Sequence, residues 1–105
     1  MGNNMKKYNK LVRDKIPEIL EKKDLKYKIH IAGKKEYWEK LKEKLLEEIK
    51  EFSKSETIEE FTDILEVLDA ISDHKKFNKQ KVAAIKKKKA KDRGGFKKRI
   101  ILEES

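Results

Sequence analysis

The sequence contains no cysteine and no long apolar run. Without cysteine the protein forms no disulfides and offers no thiolate ligand to a metal, which is typical of reducing compartments. Its apolar runs are a few residues long, whereas a transmembrane helix needs about 20 apolar residues. The Met-Gly-Asn-Asn start also lacks the apolar segment of a signal peptide. These absences predict a cytoplasmic protein with no membrane association.

Hydrophobic residues are scarce as well: they make up 36% of the 105 residues, and charged residues make up 47%. Such a chain has room for a single domain, residues 1–105, with a thin core. Because a thin core cannot cover every apolar helix face, we expect a homodimer that completes a larger bundle. The net charge of +9 favours a polyanionic partner such as a nucleic acid, a nucleotide or an anionic lipid. It is uneven, since residues 43–73 are acidic and residues 75–99 are strongly basic.

Apolar residues at three- and four-residue steps predict a mainly α fold, an antiparallel helix bundle. One long helix is expected over about residues 35–53, and a second over about residues 58–72. The short SKSET connection between them, with Ser55 or Thr57 as N-cap, forces the second helix to run back antiparallel to the first. A short helix after a predicted N-cap at Asp14 and a fourth helix over about residues 75–91 flank this hairpin.

Two further segments predict β structure. KYKIHIAG, residues 26–33, alternates apolar and polar side chains and ends in a glycine. FKKRIIL, residues 96–102, follows the turn signal Gly94–Gly95 and also has strand character. Together they predict a small two-stranded β element beside the helices.

Acidic residues three apart flank both apolar stripes of the predicted hairpin. At 100° per residue, Glu48 and Glu51 lie at about −70° and −130° from the apolar centre of the first helix. Glu60 and Asp63 lie at about −60° and −120° from the apolar centre of the second. Offsets of the same sign converge on one side of an antiparallel pair. The spacing therefore predicts that all four carboxylates share one site.

Converging carboxylates repel one another unless a cation neutralises them. Oxygen ligands without His or Cys suit Mg²⁺, with Mn²⁺ as the alternative, better than zinc. A second acidic pair, Glu66 and Asp69, is expected to face solvent instead. A purely structural interpretation stays open at this point, because Glu and Lys pair at four-residue spacing on many surface helices.

Three segments in this order resemble a known family. EEIKE (47–51) followed by EEFTD (59–63) resembles the EExxE…ExxD signature of the all-α NTP pyrophosphatases, the MazG-like superfamily. YNKLVRDKIPEI (8–19) and RGGFKKRI (93–100) resemble the hallmark segments of its phosphoribosyl-ATP pyrophosphohydrolase-like subfamily of predicted house-cleaning nucleotide pyrophosphatases. The resemblance spans residues 8–102. The gap between the two acidic motifs is shorter here than in the common family pattern.

The resemblance implies Mg²⁺-dependent hydrolysis of a nucleoside triphosphate to the monophosphate and pyrophosphate. The family's metal-binding positions fall on Glu48, Glu51, Glu60 and Asp63. In the mechanism that we hypothesise, a water attacks a phosphorus, and Glu47 or Glu51 accepts the water's proton.

Basic residues near both ends of the chain are candidates for binding the substrate's phosphates. Arginine supplies forked donors, and glycine lets the backbone approach a nucleotide closely. The alternative is that Arg13 only pairs with a surface acid and that the glycines only form a turn. The candidate substrate-binding residues are Lys10, Arg13, Arg93, Gly94, Lys98 and Arg99.

Two other functions are compatible with parts of the sequence. A basic nucleic-acid-binding helical protein without catalytic activity would explain the charge and the run Lys86–Lys89. The absence of a recognisable nucleic-acid motif and the acidic hairpin argue against nucleic acid as the partner. The hairpin could also be a purely structural dimerisation element.

Overall fold

The computed structural model describes residues 5–105 and is mainly helical, as predicted. The first four residues, on which the expected absence of a signal peptide partly rests, lie outside the described residues. Within that range the chain forms four helices: α1 (Ile16–Lys22), α2 (Lys34–Ser55), α3 (Ile58–Lys75) and α4 (Lys79–Arg93).

The turn between α2 and α3 consists of two residues. Glu56 ends α2 in the left-handed conformation, with φ 53° and ψ 34°, and its backbone N–H donates to the carbonyl of Phe52 at 2.8 Å. The hydroxyl of Thr57 accepts from the backbone N–H of Glu60 at 3.3 Å, in the manner of an N-cap, as the sequence predicts. The left-handed residue and this cap stop one helix and start the next, so the chain reverses within one turn.

Ring contacts at both ends show that α2 and α3 run antiparallel. Beside the turn, the rings of Phe52 and Phe61 lie 6.2 Å apart. At the other end, His74 stacks on Trp38 at 5.5 Å and meets Tyr37 edge-on at 5.2 Å. The start of α2 therefore lies beside the end of α3, and this geometry is the condition on which the predicted carboxylate site depends.

The core is thin. Leu41 on α2 and Val67 on α3 are the buried hydrophobic residues of the described chain, and the buried charged residue is Glu48. The apolar stripe predicted for α3 is centred near Ile64 and Leu68. Val67 lies outside this stripe, whereas Leu68 is 43% exposed. Helix α3 therefore turns a face other than its most apolar one toward α2, and this face includes acidic residues.

Two helix starts differ from the sequence prediction. The predicted N-cap at Asp14 is wrong, because a turn closed by Ile16 N–H and the carbonyl of Arg13 places Lys15 at the cap, without a side-chain hydrogen bond. Pro17 occupies the first turn of α1, where its missing N–H costs no intrahelical hydrogen bond. The fourth helix begins later than predicted, because Asn78 caps it by accepting from the backbone N–H of Lys81 at 2.9 Å.

The predicted two-stranded β element is wrong: no strand occurs among residues 5–105. Strands are stable when their backbones pair and one face is covered. In the first segment Ile31 is 88% exposed, and in the second Ile100 and Ile101 are exposed to a similar degree. Alternation of apolar and polar residues is not sufficient where neither segment gains a buried face.

The chain separates into two compact units, one ending at His74 and the other comprising Lys75–Ser105. Helices α1 and α2 and nearly all of α3 belong to the first unit, and α4 belongs to the second. A single domain over residues 1–105 stays a prediction. Among the described helices, none combines the length and the apolar character needed to cross a bilayer.

Candidate carboxylate site

Three acidic side chains from the two long helices converge. Glu48 comes from α2, and Glu60 and Asp63 come from adjacent turns of α3. Each contributes an oxygen to a group in which all oxygens lie within 4.8 Å of one another. Residues three apart on a helix are neighbours on one face, and the antiparallel partner brings the third carboxylate to that face. Three of the four predicted metal ligands are therefore together, and we call these three residues the carboxylate cluster.

Glu51, the fourth predicted ligand, is exposed and lies outside this cluster. It is still close enough for its negative charge to act on Glu60. Glu66 and Asp69, the acidic pair that was expected to face solvent, are both exposed.

Glu60 has the least compensated carboxylate of the cluster. Its Oε2 is buried and has no hydrogen-bond partner among the described residues. Burial raises the pKa of Glu60 above its usual range, and the negative charges of Glu48 and Asp63 raise this pKa further. An ionised carboxylate in this position is unfavourable until a cation or a proton compensates it.

The donor set fits a hard cation. All three ligand groups are carboxylates, and no His or Cys belongs to the cluster. Magnesium and manganese prefer such oxygen donors, whereas zinc sites are usually built with nitrogen or sulfur. The cluster can therefore hold a divalent cation chemically, and the buried, unpartnered oxygen of Glu60 is the atom that would gain most from one.

Two basic side chains partly neutralise the cluster. Arg13 donates from Nη2 to Oδ1 of Asp63 at 2.8 Å. Lys44, one turn before Glu48 on α2, places its Nζ 3.3 Å from Oε1 of that residue. Arg13 is among the residues predicted from the sequence and Lys44 is not, although the four-residue spacing between Lys44 and Glu48 indicates an ion pair.

Glu47, a predicted proton acceptor, lies in a different environment. Lys10 donates to its Oε1 at 2.9 Å, and the Nζ of Lys44 is 3.5 Å from the same oxygen. Burial alone would raise the pKa of Glu47, but the hydrogen bond from Lys10 and the charges of both lysines outweigh it and lower this pKa. The same hydrogen bond raises the pKa of Lys10.

The segment before α1 is thus attached to the helix hairpin. Besides the contacts of Lys10 and Arg13, the carbonyl of Asn9 accepts from Nζ of Lys40 on α2 at 2.7 Å. Two of the predicted phosphate-binding residues therefore lie at the edge of the acidic face.

The other predicted phosphate-binding residues belong to the second unit and are exposed. Arg93 is the last residue of α4, and Gly94 caps that helix with φ 82°, a conformation that favours glycine. Lys98 and Arg99 follow in a turn closed by Arg99 N–H and the carbonyl of Phe96 at 3.1 Å. A role for these four residues in substrate binding stays a prediction.

Comparison with known proteins gave no match to a family model, to a curated protein or to a solved structure. The resemblance to the MazG-like enzymes therefore depends on the three sequence segments themselves.

Proposed function

We propose that the protein is a Mg²⁺-dependent nucleoside triphosphate pyrophosphohydrolase of the MazG-like type, which releases pyrophosphate and a nucleoside monophosphate. The observation that carries the proposal is the convergence of Glu48, Glu60 and Asp63 around a buried carboxylate oxygen without a partner. A carboxylate such as Glu60, whose pKa is raised by burial and by neighbouring acidic groups, is more typical of a functional site than of a solvated helix face. House-cleaning of non-canonical nucleotides is the role that the sequence resemblance suggests.

In this proposal Glu48, Glu60 and Asp63 hold the metal. When bound, Mg²⁺ supplies positive charge to the phosphate oxygens and increases the acidity of water. Glu60 fits this role because its ionised form lacks compensation within the protein. Manganese would be accepted by the same oxygen donors.

Arg13 and Lys10 are proposed to bind the phosphates. Both side chains already lie beside acidic residues of the hairpin, at 2.8 Å and 2.9 Å from their partner oxygens. A guanidinium can bind two phosphate oxygens at once, which would orient a triphosphate toward the cluster. If Asp63 held a metal, Arg13 would share or lose its partner carboxylate, and its guanidinium would be available to bind substrate.

Of the two candidate proton acceptors, we assign Glu51. The basic neighbours of Glu47 lower its pKa and so weaken it as a base. Glu51 is exposed, which leaves it accessible to water, and its charge acts on Glu60 across the cluster. Glu47 is then a positioning residue that holds Lys10.

The test of this function is pyrophosphate release from a panel of canonical and modified NTPs and dNTPs. The proposal predicts release with Mg²⁺ and none after EDTA, with the monophosphate as the second product. Formation of the diphosphate and inorganic phosphate, or no turnover of any member of the panel, would contradict it.

We further propose that the protein is a homodimer. Large apolar side chains on the hairpin are between 43% and 74% exposed, which leaves an uncovered apolar surface. Burial of such a surface in a second copy would complete a larger bundle. Phe61→Lys should convert a dimer to a monomer in light scattering, and a wild-type protein that is monomeric at micromolar concentration would refute this proposal. The uncovered apolar surface of the hairpin consists of Leu46, Ile49, Ile58, Phe61, Leu65 and Leu68.

A further inference from the structure

The positive charge of the protein is concentrated in its second unit. Of the 29 Lys and Arg residues, 13 lie in Lys75–Ser105, together with three acidic residues, which gives this unit a net charge of +10. The remaining residues have 16 basic and 17 acidic side chains, a net charge of −1. The candidate carboxylate site and the basic unit are therefore electrostatically distinct parts of the chain, and the proposed hydrolase function uses none of the lysines of α4.

Helix α4 is basic on every side. It has eight Lys and Arg residues among 15, and its acidic residue is Asp92. The four consecutive lysines Lys86–Lys89 project at steps of about 100°, so they cover about 300° of the circumference. Lys88 pairs with Asp92 at 2.7 Å, while Lys86, Lys87 and Lys89 are exposed and form no ion pair with any described residue.

We propose that α4 binds the phosphate backbone of duplex DNA without sequence preference. A helix with its side chains is about 10–12 Å across, and the B-DNA major groove is about 12 Å wide. A helix that lies in this groove has phosphates on both sides, so a helix with lysines all round can contact two backbones. Release of counterions from the DNA would drive such binding. The major groove of duplex RNA is too narrow to admit the helix.

The distribution of the lysines distinguishes DNA from other acidic partners. A helix that lies on an anionic membrane presents an apolar face to the lipid, and α4 has lysines where such a face would be. Val82 and Ile85 are its large apolar residues, both near its N-terminal half. A second α4 is excluded as the partner, because two helices of this charge repel each other.

The experiment is fluorescence anisotropy of a labelled 25-base-pair duplex with the full-length protein, in EDTA and over about 50 to 200 mM salt. Each neutralised phosphate contributes about −0.9 to the slope of log K against log salt, so four or more contacts predict a slope of about −3.6 or steeper. Hydrogen exchange in the presence of the duplex should show protection in residues 79–93.

Two variants with the same change in net charge distinguish binding by α4 from a general effect of the protein's charge. Changing Lys86, Lys87, Lys88 and Lys89 to Gln, which preserves helix propensity, should make the slope less steep by about 2 to 4 and weaken binding at least about tenfold at low salt. The matched control changes four exposed lysines of the first unit to Gln and should leave the slope almost unchanged. These control positions are Lys22, Lys23, Lys26 and Lys28.

Three results would overturn the proposal: no salt-dependent binding by the wild type, equal losses in both variants, or tighter binding to vesicles of equal parts phosphatidylcholine and phosphatidylserine than to the duplex. The α4 variant should keep any pyrophosphate release of the wild type, so failure of the DNA proposal and failure of the proposed hydrolase function are distinguishable.

Discussion

Arg13 donates a 2.8 Å hydrogen bond to Asp63, a residue 50 positions further along the chain. The same carboxylate belongs to the cluster with Glu48 and Glu60. A guanidinium and a divalent cation would therefore compete for Asp63. This relationship connects the segment before α1 with the candidate metal centre and makes the two proposed roles of Arg13, as counterion and as phosphate ligand, testable together.

Replacing Arg13 with Gln should strengthen Mg²⁺ binding and weaken substrate binding. Both partners are partly exposed, so removal of their ion pair should change the Mg²⁺ dissociation constant by about two- to fivefold. Calorimetric titration with Mg²⁺ measures this change without any turnover. The Michaelis constant for the nucleotide should rise in the same variant, because a phosphate ligand is lost.

Lys15→Gln removes the same charge from a neighbouring exposed position and serves as the control. It should leave Mg²⁺ affinity and the Michaelis constant near the wild-type values. Equal effects of the two substitutions would show that only the net charge matters, and an unchanged Mg²⁺ affinity in Arg13→Gln would contradict competition for Asp63.

Glu60→Gln should stabilise the metal-free protein at neutral pH. Burial and neighbouring charges raise the pKa of Glu60 above its ordinary value of 4.5, so the folded state favours the protonated form. The associated stability is present below pH 4.5 and is lost as pH rises through the pKa of the folded state. Glutamine stays neutral, so the variant should melt at a higher temperature than the wild type at pH 7 in EDTA.

The adjacent exposed residue provides the control, since Glu59→Gln changes charge equally outside the cluster. Thermal melts from pH 4 to pH 8 compare both variants with the wild type. Relative to the wild type, rising pH should lower the melting temperature less in Glu60→Gln and to the same extent in Glu59→Gln. Added Mg²⁺ should raise the melting temperature of the wild type and of Glu59→Gln, but have little effect on Glu60→Gln. The same dependence of melting temperature on pH in the wild type and in Glu60→Gln would refute the assigned environment of Glu60.

Leu41→Ala should destabilise the protein strongly. Leu41 is 1% exposed, and truncation of a buried leucine typically lowers the free energy of unfolding by about 2–5 kcal/mol. Leu46, on the same helix, is 68% exposed, so Leu46→Ala should change the free energy of unfolding by no more than about 0.5 kcal/mol in the monomer. Urea denaturation compares the two, and similar losses in both variants would contradict the described packing of α2.

The helix hairpin and most of its acidic site were predictable from sequence. A periodicity near 3.6 residues and a short connection predict two antiparallel helices, and the angular positions of Glu48, Glu60 and Asp63 predict their convergence. Glu51 is exposed and lies outside the cluster, whereas Asp63, at a similar predicted angle on the partner helix, belongs to it. Angles alone place a residue around a helix axis but do not give its position along the partner helix.

The β prediction failed for a different reason. Alternating residues such as Ile29 and Ile31 indicate a strand only if another strand pairs with them, and pairing is a property of the whole fold. The exposed state of Leu68 and the burial of Val67 show a related effect. In a chain with few apolar residues, the face that a helix buries can differ from its most apolar face, and the sequence pattern of one helix does not show which face its neighbour covers.

The most direct test of the account compares Asp63→Asn with Asp69→Asn in Mg²⁺-dependent pyrophosphate release. The two residues are on the same helix, and the substitutions are chemically identical, but Asp63 belongs to the carboxylate cluster and Asp69 is exposed. We predict that Asp63→Asn loses activity by about a hundredfold or more, while it retains its fold, because a charged ligand is lost. Asp69→Asn should retain wild-type activity. Full activity in Asp63→Asn, or loss of activity in Asp69→Asn alone, would contradict the assignment of the site.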